Sequence, residues 1–254
     1  MDLDLRGRTA VVTGASRGLG AGLARAFRAR GLRLGLCARS EPALPDGPDV
    51  LAARLDVRDP AALASFAAEV EARFGAIDLW INNAGVLDPI DPLRDVEPAA
   101  AHTHLEVNVL GVLFGTQAFV RHLHRRGGEA VLVNISSGAA RKPYAGWSLY
   151  CAAKAAVDRL TECVALEEAA HGLRAYSVAP GVIDTEMQAL IRTTPVARFP
   201  DAPRFVERKR EGRFNTPDFI AARLLSIAFD PRARPAEVCV RLPDEKRSEG
   251  RDVL

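Results

Sequence analysis

Cysteine is scarce in this sequence, with 4 residues among 254, and the four lie far apart. No two of them show the C-x-x-C spacing of zinc and redox motifs, which argues against a metal site or a disulfide-stapled scaffold. Their neighbours are apolar, so we expect all four to be buried, reduced thiols. His102, His104, His122 and His124 have i, i+2 spacing, which does not converge on a helix. We therefore predict no metal site.

Long apolar runs and an excess of charge of one sign are also missing. No run reaches the roughly 20 apolar residues that a membrane-spanning helix needs. The N-terminus is acidic and lacks the pattern of a signal peptide. The 34 basic and 32 acidic side chains leave a net charge of +2, which gives no electrostatic reason to bind nucleic acid or an anionic membrane. We expect a cytoplasmic protein without either partner.

The composition is that of an ordinary globular protein, with 48% hydrophobic and 26% charged residues. The length is about 1.7 times the roughly 150 residues of an average domain. Since α/β folds commonly reach this length as one unit, we favour a single domain over residues 1–245. The charged residues 246–254 are expected to fray.

Short apolar runs alternate with longer helical patterns along the chain. Strands are predicted over residues 9–13, 32–37, 50–55, 78–81, 130–135, 175–179 and 238–242. Helices are predicted over residues 19–30, 61–74, 99–125 and 149–170, and a last helix begins at Pro217. This order predicts an α/β fold with a doubly wound, Rossmann-type parallel sheet of about seven strands flanked by helices. Prolines at 42, 45 and 48 exclude a helix after the second strand.

A glycine-rich turn follows the first strand and reads TGASRGLG over residues 13–20. Such glycines let the backbone approach a pyrophosphate, and the helix that follows offers free N–H groups and a positive dipole end. A plain strand–turn–helix corner is the alternative. The second strand ends at Arg39 without the acid that NAD-preferring sites carry there. Arg39, with Arg17 on the other side, is therefore expected to hold the 2′-phosphate of NADP(H).

Three further residues have the types and spacing of a proton-transfer site. Tyr150 and Lys154 are i and i+4 on one helix and therefore share a face. An ammonium beside a phenol lowers the pKa of the phenol and makes tyrosine usable as an acid or base. Ser137, at the end of a strand, can donate a hydrogen bond to a carbonyl oxygen. A surface Tyr–Lys pair is the alternative, although only 4 of the 34 basic residues are lysines.

A set of motifs occurs in a fixed order between residues 5 and 242. It consists of TGASRGLG, Asn82-Asn83-Ala84-Gly85, Asn108, Ser137, Tyr150-x-x-x-Lys154, and Pro180-Gly181 with Thr185. With this set the chain resembles the short-chain dehydrogenase/reductase family over essentially its whole length. Residues 133–137, 146–152 and 184–188 resemble sepiapterin reductases and the related bacterial benzil-type diketone reductases.

The resemblance implies a role for each matching residue. Tyr150 would donate a proton to the carbonyl, Ser137 would orient that carbonyl, and Lys154 would bind the nicotinamide ribose and tune Tyr150. Asn108 would hold a water that links Lys154 to solvent. The expected cofactor-binding residues are Gly14, Ser16, Arg17, Gly18, Leu19, Gly20, Arg39, Asp56, Val57, Asn83, Ala84, Gly85, Tyr150, Lys154, Pro180, Gly181, Val182, Ile183 and Thr185.

The substrate is expected to lie under a lid formed by residues 186–215. The expected substrate residues are Ser137, Trp147, Tyr150, Gly181 and Met187. Core packing is the alternative for Trp147, and packing of the lid against the body is the alternative for the apolar lid residues.

One position departs from the pattern of the pterin-reducing relatives. Sepiapterin reductases anchor the pterin through an aspartate near the C-terminus, and Arg241 aligns with that place. Arginine only donates hydrogen bonds, so it cannot accept from the pterin's amino group. A less polar ketone or diketone is therefore expected, unless Asp244 takes the anchoring role.

The resemblance thus implies an NADPH-dependent carbonyl reductase that converts a small-molecule ketone or α-dicarbonyl to an alcohol. One alternative is a reductase of another carbonyl class, such as a sugar, an acyl-thioester or a steroid. Another is a nucleotide-sensing regulator that has lost the catalytic activity. The sequence argues against this alternative because it keeps all four expected catalytic residues, Asn108, Ser137, Tyr150 and Lys154. Because the family commonly pairs subunits through the helices that carry Asn108 and Tyr150, we expect a homo-oligomer, a dimer or tetramer.

Overall fold

The computed structural model describes residues 3–245 and contains one sheet of seven parallel strands. The strands are β1 Thr9–Thr13, β2 Arg33–Ala38, β3 Val50–Arg54, β4 Leu79–Asn82, β5 Ala130–Ile135, β6 Leu173–Ala179 and β7 Cys239–Arg241. Their order across the sheet is β3-β2-β1-β4-β5-β6-β7. The predicted α/β fold with a Rossmann-type sheet is confirmed. The tail predicted over residues 246–254 lies outside the described residues.

Eight α-helices connect or follow these strands in the described part of the chain. They are α1 Gly18–Ala29, α2 Pro60–Phe74, α3 Pro98–Leu105, α4 Gly111–Arg126, α5 Ser148–Glu168, α6 Glu186–Thr193, α7 Ala202–Arg210 and α8 Pro217–Phe229. Within residues 3–245, none of the helices combines the length and apolar character needed to cross a membrane. Helices α6 and α7 fall in the segment that the sequence predicts to be a lid.

Helices cover both faces of the sheet because the strands are apolar on both faces. All six residues of β5 are buried. Helices α1 and α8 pack on one face, where Phe27 and Leu224 belong to one apolar cluster. Helices α2, α4 and α5 pack on the other face, where Phe66 and Phe119 are buried. Burial of one such side chain contributes roughly 1.5–3 kcal/mol, so the two layers hold the strand ends in place.

The order of the strands reverses between β1 and β4. From β1 the chain continues outward to β2 and β3, whereas β4 begins the other half of the sheet. In open α/β sheets, ligands bind in the crevice at such a reversal, outside the carboxyl ends of the strands. The glycine-rich turn follows β1 and Asn83 follows β4, so both lie at this crevice.

The link between β2 and β3 has no helix, as the prolines predict. Residues 39–49 are all described, and none of them is helical. The helix predicted over residues 99–125 is instead interrupted, because a π-helical turn, Glu106–Leu110, separates α3 from α4. Hydrophobic periodicity does not predict such a turn. π-Helical turns occur frequently at functional sites, and this one carries Asn108.

The prediction of four buried thiols is wrong for three of the cysteines. All four are free, but only Cys37 is buried, and Cys163 is exposed. Cys163 lies on α5 between Thr161 and Val164, which face the core. Successive helical residues point in different directions, so apolar neighbours in the sequence do not bury a helical side chain.

Candidate active site

The glycine-rich turn packs tightly against the chain that follows β4. Gly14 has φ +67°, and a Cβ there would lie 2.7 Å from the Cα of Ala84. A Cβ on Gly20 would lie 2.3 Å from the carbonyl oxygen of Gly14. The Nδ2 of Asn83 donates to the carbonyl of Thr13 at 2.9 Å and so ties the two strand ends together. These contacts fix the position of the first turn of α1.

The N-terminus of α1 fits an anionic group. No side chain caps this end of the helix, and its first turn holds no acid. Ser16 is half-buried, Leu19 is buried, and Gly18 is exposed with φ +55°. The free N–H groups and the dipole at this end favour a phosphate. The Nη1 of Arg17 donates to Glu186 at 2.7 Å, and both side chains are exposed.

The end of β2 carries the positive charge of Arg39. Arg39 is exposed, and it lines a surface concavity with Arg54, Leu55 and Asp56. The carboxylate of Asp56 accepts from the Nη2 of Arg58 at 2.7 Å. This bond is the main cause that lowers the pKa of Asp56, and the charge of Arg39 adds to it. The neighbouring Val57 is buried.

Tyr150 and Lys154 lie on the buried face of α5, which begins at Ser148. The Nζ of Lys154 donates to the carbonyl oxygen of Ile135 at 2.8 Å and lies 5.7 Å from the centre of the Tyr150 ring. The side chain of Ser137 hydrogen-bonds to Tyr150, and its Oγ accepts from the backbone N–H of Ala139 at 3.2 Å. The structure thus brings the predicted serine, tyrosine and lysine together at the carboxyl end of β5.

The ionisation of this pair differs from the prediction. Burial raises the pKa of Tyr150, and its hydrogen bond with Ser137 only opposes that rise. Burial also lowers the pKa of Lys154 to about 8. The prediction of a lowered Tyr150 pKa is therefore wrong for the protein alone. Desolvation disfavours both the phenolate of Tyr150 and the ammonium of Lys154. At neutral pH Tyr150 carries its proton and can act as an acid.

Asp158 supports Lys154 from the next turn of α5. Its Oδ1 accepts from the hydroxyls of Ser136 and Ser177, each at 2.6 Å. Its charge raises the pKa of Lys154 against the effect of burial. Asp158 was not among the residues predicted from the sequence, although its i+4 spacing from Lys154 places both on one helix face.

Asn108 is fully buried and binds the backbone beside the crevice. Its Oδ1 accepts from the N–H of Val86 at 3.0 Å, and its Nδ2 donates to the carbonyl of Val86 at 2.8 Å. A Cβ on Gly85 would lie 2.9 Å from this Oδ1 and 3.9 Å from the Nζ of Lys154. Asn108 and Lys154 therefore flank the same glycine.

His104 is a residue of this site that the sequence analysis did not recognise. It is fully buried, and its ring contacts both Asn108 and Tyr150. In the sequence, its i, i+2 spacing to His102 concealed it among the other histidines. Its position four residues before Asn108, on the same helix face, was the available signal.

The loop after β6 closes the other side of the crevice. Pro180 is buried, and Gly181 has φ +82°. Asn215, a buried residue that the sequence analysis missed, donates to the carbonyls of Pro180 at 2.9 Å and Pro243 at 3.0 Å. Its backbone N–H also donates to the carbonyl of Val182 at 2.9 Å.

The end of this loop leads directly into α6. Ile183 packs against the core, and Thr185 precedes the helix. The Cγ2 of Thr185 would lie 3.4 Å from a Cβ on Gly18. The loop after β6 therefore approaches the glycine-rich turn across the crevice.

An aromatic cluster stands beside Tyr150. The ring of Trp147 stacks on Phe199 with centroids 4.4 Å apart and meets Tyr150 edge-on at 5.5 Å. Met187 and Phe205 pack against the same cluster. Packing of the lid against the body is therefore the observed role of Phe199. Among the described residues, the buried indole N–H of Trp147 finds no hydrogen-bond partner.

The segment predicted as a lid is anchored at several points. A Cβ on Gly146, which has φ +85°, would lie 2.3 Å from the carbonyl oxygen of Arg198. The Nη2 of Arg198 donates to Asp91 at 2.6 Å. Asp184 pairs with Arg192 at 3.1 Å and also with Lys209. In this conformation the segment therefore lies against the aromatic cluster.

One group of possible metal ligands occurs in the described residues. His124, Glu168 and His171 bring ligand atoms within 4.8 Å of one another, and His124 hydrogen-bonds Glu168 at 2.6 Å. They lie at the ends of α4 and α5, at the edge of the sheet where β6 begins. This edge is opposite to Tyr150, so the group is not part of the site.

Comparison with known proteins places the chain among oxidoreductases. The family model described as short chain dehydrogenase matches residues 8–195. Benzil reductase ((S)-benzoin forming) of Bacillus cereus is 37% identical over 149 residues, 58% of this chain and 60% of the relative. The match thus spans about three fifths of that relative's length.

Two further proteins are similar over most of the chain. Cis-4-hydroxycyclohexanecarboxylate dehydrogenase of Sinomonas cyclohexanicum is 35% identical over 234 residues, 88% of this chain and 90% of the relative. The crystal structure of the KRED1-Pglu enzyme has a TM-score of 0.82 and 32% identity, covering 92% of this chain and 100% of that one. From the family model, these relatives and the Rossmann-type sheet, we conclude that the chain belongs to the short-chain dehydrogenase family.

Proposed function

We propose that this protein is an NADPH-dependent carbonyl reductase that reduces a ketone or α-dicarbonyl to an alcohol. The observation that carries the proposal is the buried Tyr150, which hydrogen-bonds to Ser137 and meets the ring of Trp147 edge-on, and whose pKa is raised by burial. A protonated phenol suits reduction, in which the carbonyl oxygen must gain a proton. Members of this family act on carbonyl and alcohol groups and bind a nicotinamide cofactor, as in a related reductase complexed with NADH.

The cofactor fits the crevice between β1 and β4. The uncapped N-terminus of α1 is suited to the pyrophosphate, and Asn83 holds the two sides of the crevice together. Lys154 would turn from the Ile135 carbonyl to the nicotinamide ribose, which offers hydroxyl acceptors in its place. When bound, the nicotinamide supplies the hydride that reduces the carbonyl carbon.

The residues of this chain supply the proton and its control. Tyr150 donates the phenolic proton to the carbonyl oxygen, while the Ser137 hydroxyl donates a hydrogen bond that orients the same oxygen. The charge of Lys154 stabilises the phenolate left on Tyr150. Asn108 holds the chain at Val86 beside Lys154, where it would help to keep a water that links Lys154 to solvent.

The preference for NADPH rests on charge at the end of β2. Arg39 is exposed there, and the concavity beside it includes Arg54. A guanidinium suits a 2′-phosphate because it donates several charge-assisted hydrogen bonds. Arg17 would join it by leaving Glu186, since an exposed ion pair holds only about 0–1 kcal/mol.

An aromatic carbonyl compound suits the substrate side. Trp147 and Met187 belong to an apolar cluster beside Tyr150, in which Phe199 stacks on the ring of Trp147. Aromatic rings add attraction beyond area burial when they stack or meet edge-on. The benzil reductase similarity supports a diketone with aromatic groups. Arg241, exposed at the end of β7, disfavours pterins.

We also propose the organisation of the chain around this site. Residues 1–245 would form a single cofactor-binding and catalytic domain with residues 186–215 as its lid. The protein would be a cytoplasmic homo-oligomer, a dimer or tetramer. Leu105, just before the π-helical turn, and Leu110, its last residue, are 40% and 41% exposed, which supports pairing through that region.

Purified protein should be tested with a panel of carbonyl compounds and both reduced cofactors. We expect single-turnover oxidation of NADPH with benzil, slower oxidation of NADH, and little turnover of a sugar ketone or a ketoacyl-thioester. If the sugar ketone or the ketoacyl-thioester is turned over faster than benzil, that compound class replaces the diketone as the proposed substrate. Nucleotide binding without turnover of any carbonyl would instead favour the regulator.

A further inference from the structure

The buried ring of His104 makes two hydrogen bonds. Its Nδ1 lies 2.7 Å from the carbonyl oxygen of Asp88, and its Nε2 lies 3.0 Å from the Nδ2 of Asn108. The side chain is fully buried on α3, one turn before Asn108. Both ring nitrogens are therefore engaged, and neither partner is water.

The backbone of Val86 decides which way the Asn108 amide points. The Val86 N–H can only donate, so it requires the Asn108 oxygen, and the Val86 carbonyl can only accept, so it requires the Asn108 NH2. The second hydrogen of this NH2 then faces His104. Because an amide NH2 only donates, the Nε2 of His104 must carry a lone pair.

The other ring nitrogen is fixed by the same reasoning. The Asp88 carbonyl only accepts, so the Nδ1 of His104 must carry the proton. The ring is held as one neutral tautomer, with Nδ1–H toward Asp88 and a free Nε2 toward Asn108. A ring protonated on both nitrogens would place N–H against NH2 and push the Asn108 amide away from Val86.

The same ring also touches the acid of the proposed reaction. It meets Tyr150 edge-on, with centroids 6.2 Å apart and planes at 80°. We propose that His104 is a positioning residue for the proposed carbonyl reduction, its neutral ring holding the Asn108 amide and supporting the Tyr150 ring. This inference rests on the proposed function, because Asn108 and Tyr150 act in it.

The charges around His104 favour the neutral ring. Burial is the main cause that lowers its pKa, and the charge of Lys154 acts in the same direction. The hydrogen bond to the Asp88 carbonyl and the Asp88 charge oppose them. Protonation in acid would therefore disturb Asn108, whereas at neutral pH the ring accepts the amide hydrogen.

Substitutions can separate the two hydrogen bonds of His104. Glutamine reaches the position of Nε2, so in His104→Gln the amide oxygen can still accept from Asn108. Asparagine reaches only the position of Nδ1, so His104→Asn keeps the Asp88 contact and loses Asn108. His104→Leu loses both contacts. His102→Leu is the matched control, because His102 is exposed two residues earlier on α3.

The variants should be compared by NADPH oxidation with benzil, NADPH binding and thermal melting. We expect His104→Asn and His104→Leu to lower kcat about tenfold, the order expected when a buried donor loses its acceptor. KM and the Kd for NADPH should stay within about twofold, because no substrate contact is lost. His104→Gln should keep most of the wild-type kcat. In acid, His104→Gln should lose activity at a lower pH than the wild type does, because glutamine does not titrate.

Two kinetic outcomes would overturn the role of His104. One is a His104→Leu enzyme with wild-type kcat. The other is an equal loss of kcat in His104→Gln and His104→Leu when both variants have the melting temperature of the wild type.

A spectroscopic measurement on the wild type keeps the inference testable where variants fail to fold. Nitrogen-15 NMR of the His104 ring should show a protonated Nδ1 and an unprotonated Nε2 at neutral pH. The opposite tautomer, with benzil still reduced, would overturn the role of His104 alone. The expected tautomer without turnover of any carbonyl would overturn the proposed function alone.

Discussion

Lys154 and Asp158 lie one turn apart on α5, and the carboxylate of Asp158 opposes the effect of burial on the ammonium of Lys154. Two serine hydroxyls, from Ser136 and Ser177, hold the same carboxylate oxygen at 2.6 Å each. The position of this negative charge is therefore set by β6, which carries Ser177, and by the residue that directly follows β5. The protonation of Lys154 depends on a residue that does not reach the crevice.

Replacement of Asp158 by asparagine should move the pH dependence of reduction. The pKa of Lys154 is about 8, so activity should fall as the pH rises through that value and the ammonium is lost. Asp158→Asn removes a charge that raises this pKa, so the fall should begin at lower pH. The asparagine Oδ1 can still accept from Ser136 and Ser177. The measurement is kcat against pH with saturating NADPH and benzil.

The control for this prediction removes the same charge one turn further along α5. Glu162→Gln lies eight residues from Lys154 and pairs with Arg159 at the surface. It should leave the pH profile in place. An identical profile for Asp158→Asn and wild type would show that Asp158 does not govern Lys154.

Removal of the phenolic hydroxyl should abolish proton donation and leave the cofactor site intact. Tyr150→Phe keeps the ring that packs on Trp147 and His104. We expect kcat to fall by about 10²–10⁴, the usual contribution of a positioned acid. The Kd for NADPH, followed by fluorescence titration, should stay unchanged. Tyr176→Phe removes a phenolic hydroxyl from β6 and serves as the control. Near wild-type turnover by Tyr150→Phe would exclude Tyr150 as the acid.

The elements that repeat a strong local pattern could be predicted from the sequence. Strands β1 and β5 match their predicted bounds, because each has a run of apolar residues, three in β1 and four in β5. The crevice could also be placed, since glycines after the first strand and an asparagine after the fourth converge wherever parallel strands end. The proximity of Ser137, Tyr150 and Lys154 followed from helix periodicity and a strand end.

The features that depend on contacts between distant segments could not be predicted. The π-helical turn at Glu106–Leu110 leaves no hydrophobic period to detect. Asn215 joins two loops through backbone carbonyls, which have no sequence signature. The raised pKa of Tyr150 arises from burial, which is set by the whole fold. Spacing showed that Lys154 was near the phenol, but it did not show how far both were removed from water.

The cofactor preference should depend on Arg39. Loss of a charge-assisted hydrogen bond costs roughly 1.5–3 kcal/mol, so Arg39→Ala should raise the KM for NADPH about 10- to 100-fold. The KM for NADH should hardly change, because NADH has no 2′-phosphate. Arg28→Ala removes an equal charge from the far end of α1, where Arg28 pairs with Asp49 at 3.1 Å, and should affect neither cofactor. Equal losses for both cofactors in Arg39→Ala would show that Arg39 acts through structure.

Substrate choice should depend on Arg241. In the sheet, Arg241 of β7 pairs with Ala179 of β6, directly before Pro180 and Gly181, and its side chain is exposed. The guanidinium has donors only, so it cannot accept hydrogen bonds from the amino group and ring N–H of a pterin. We therefore expect kcat/KM to be high for benzil and low for sepiapterin, and Arg241→Asp to raise the value for sepiapterin. The benzil value should change little, since an aromatic diketone offers no donor to the new carboxylate.

Asp244→Asn is the companion variant, because Asp244 is the nearby acid that can anchor a pterin instead. Efficient sepiapterin reduction by the wild type, lost in Asp244→Asn, would show that Asp244 anchors the pterin and that Arg241 does not stand at the recognition position.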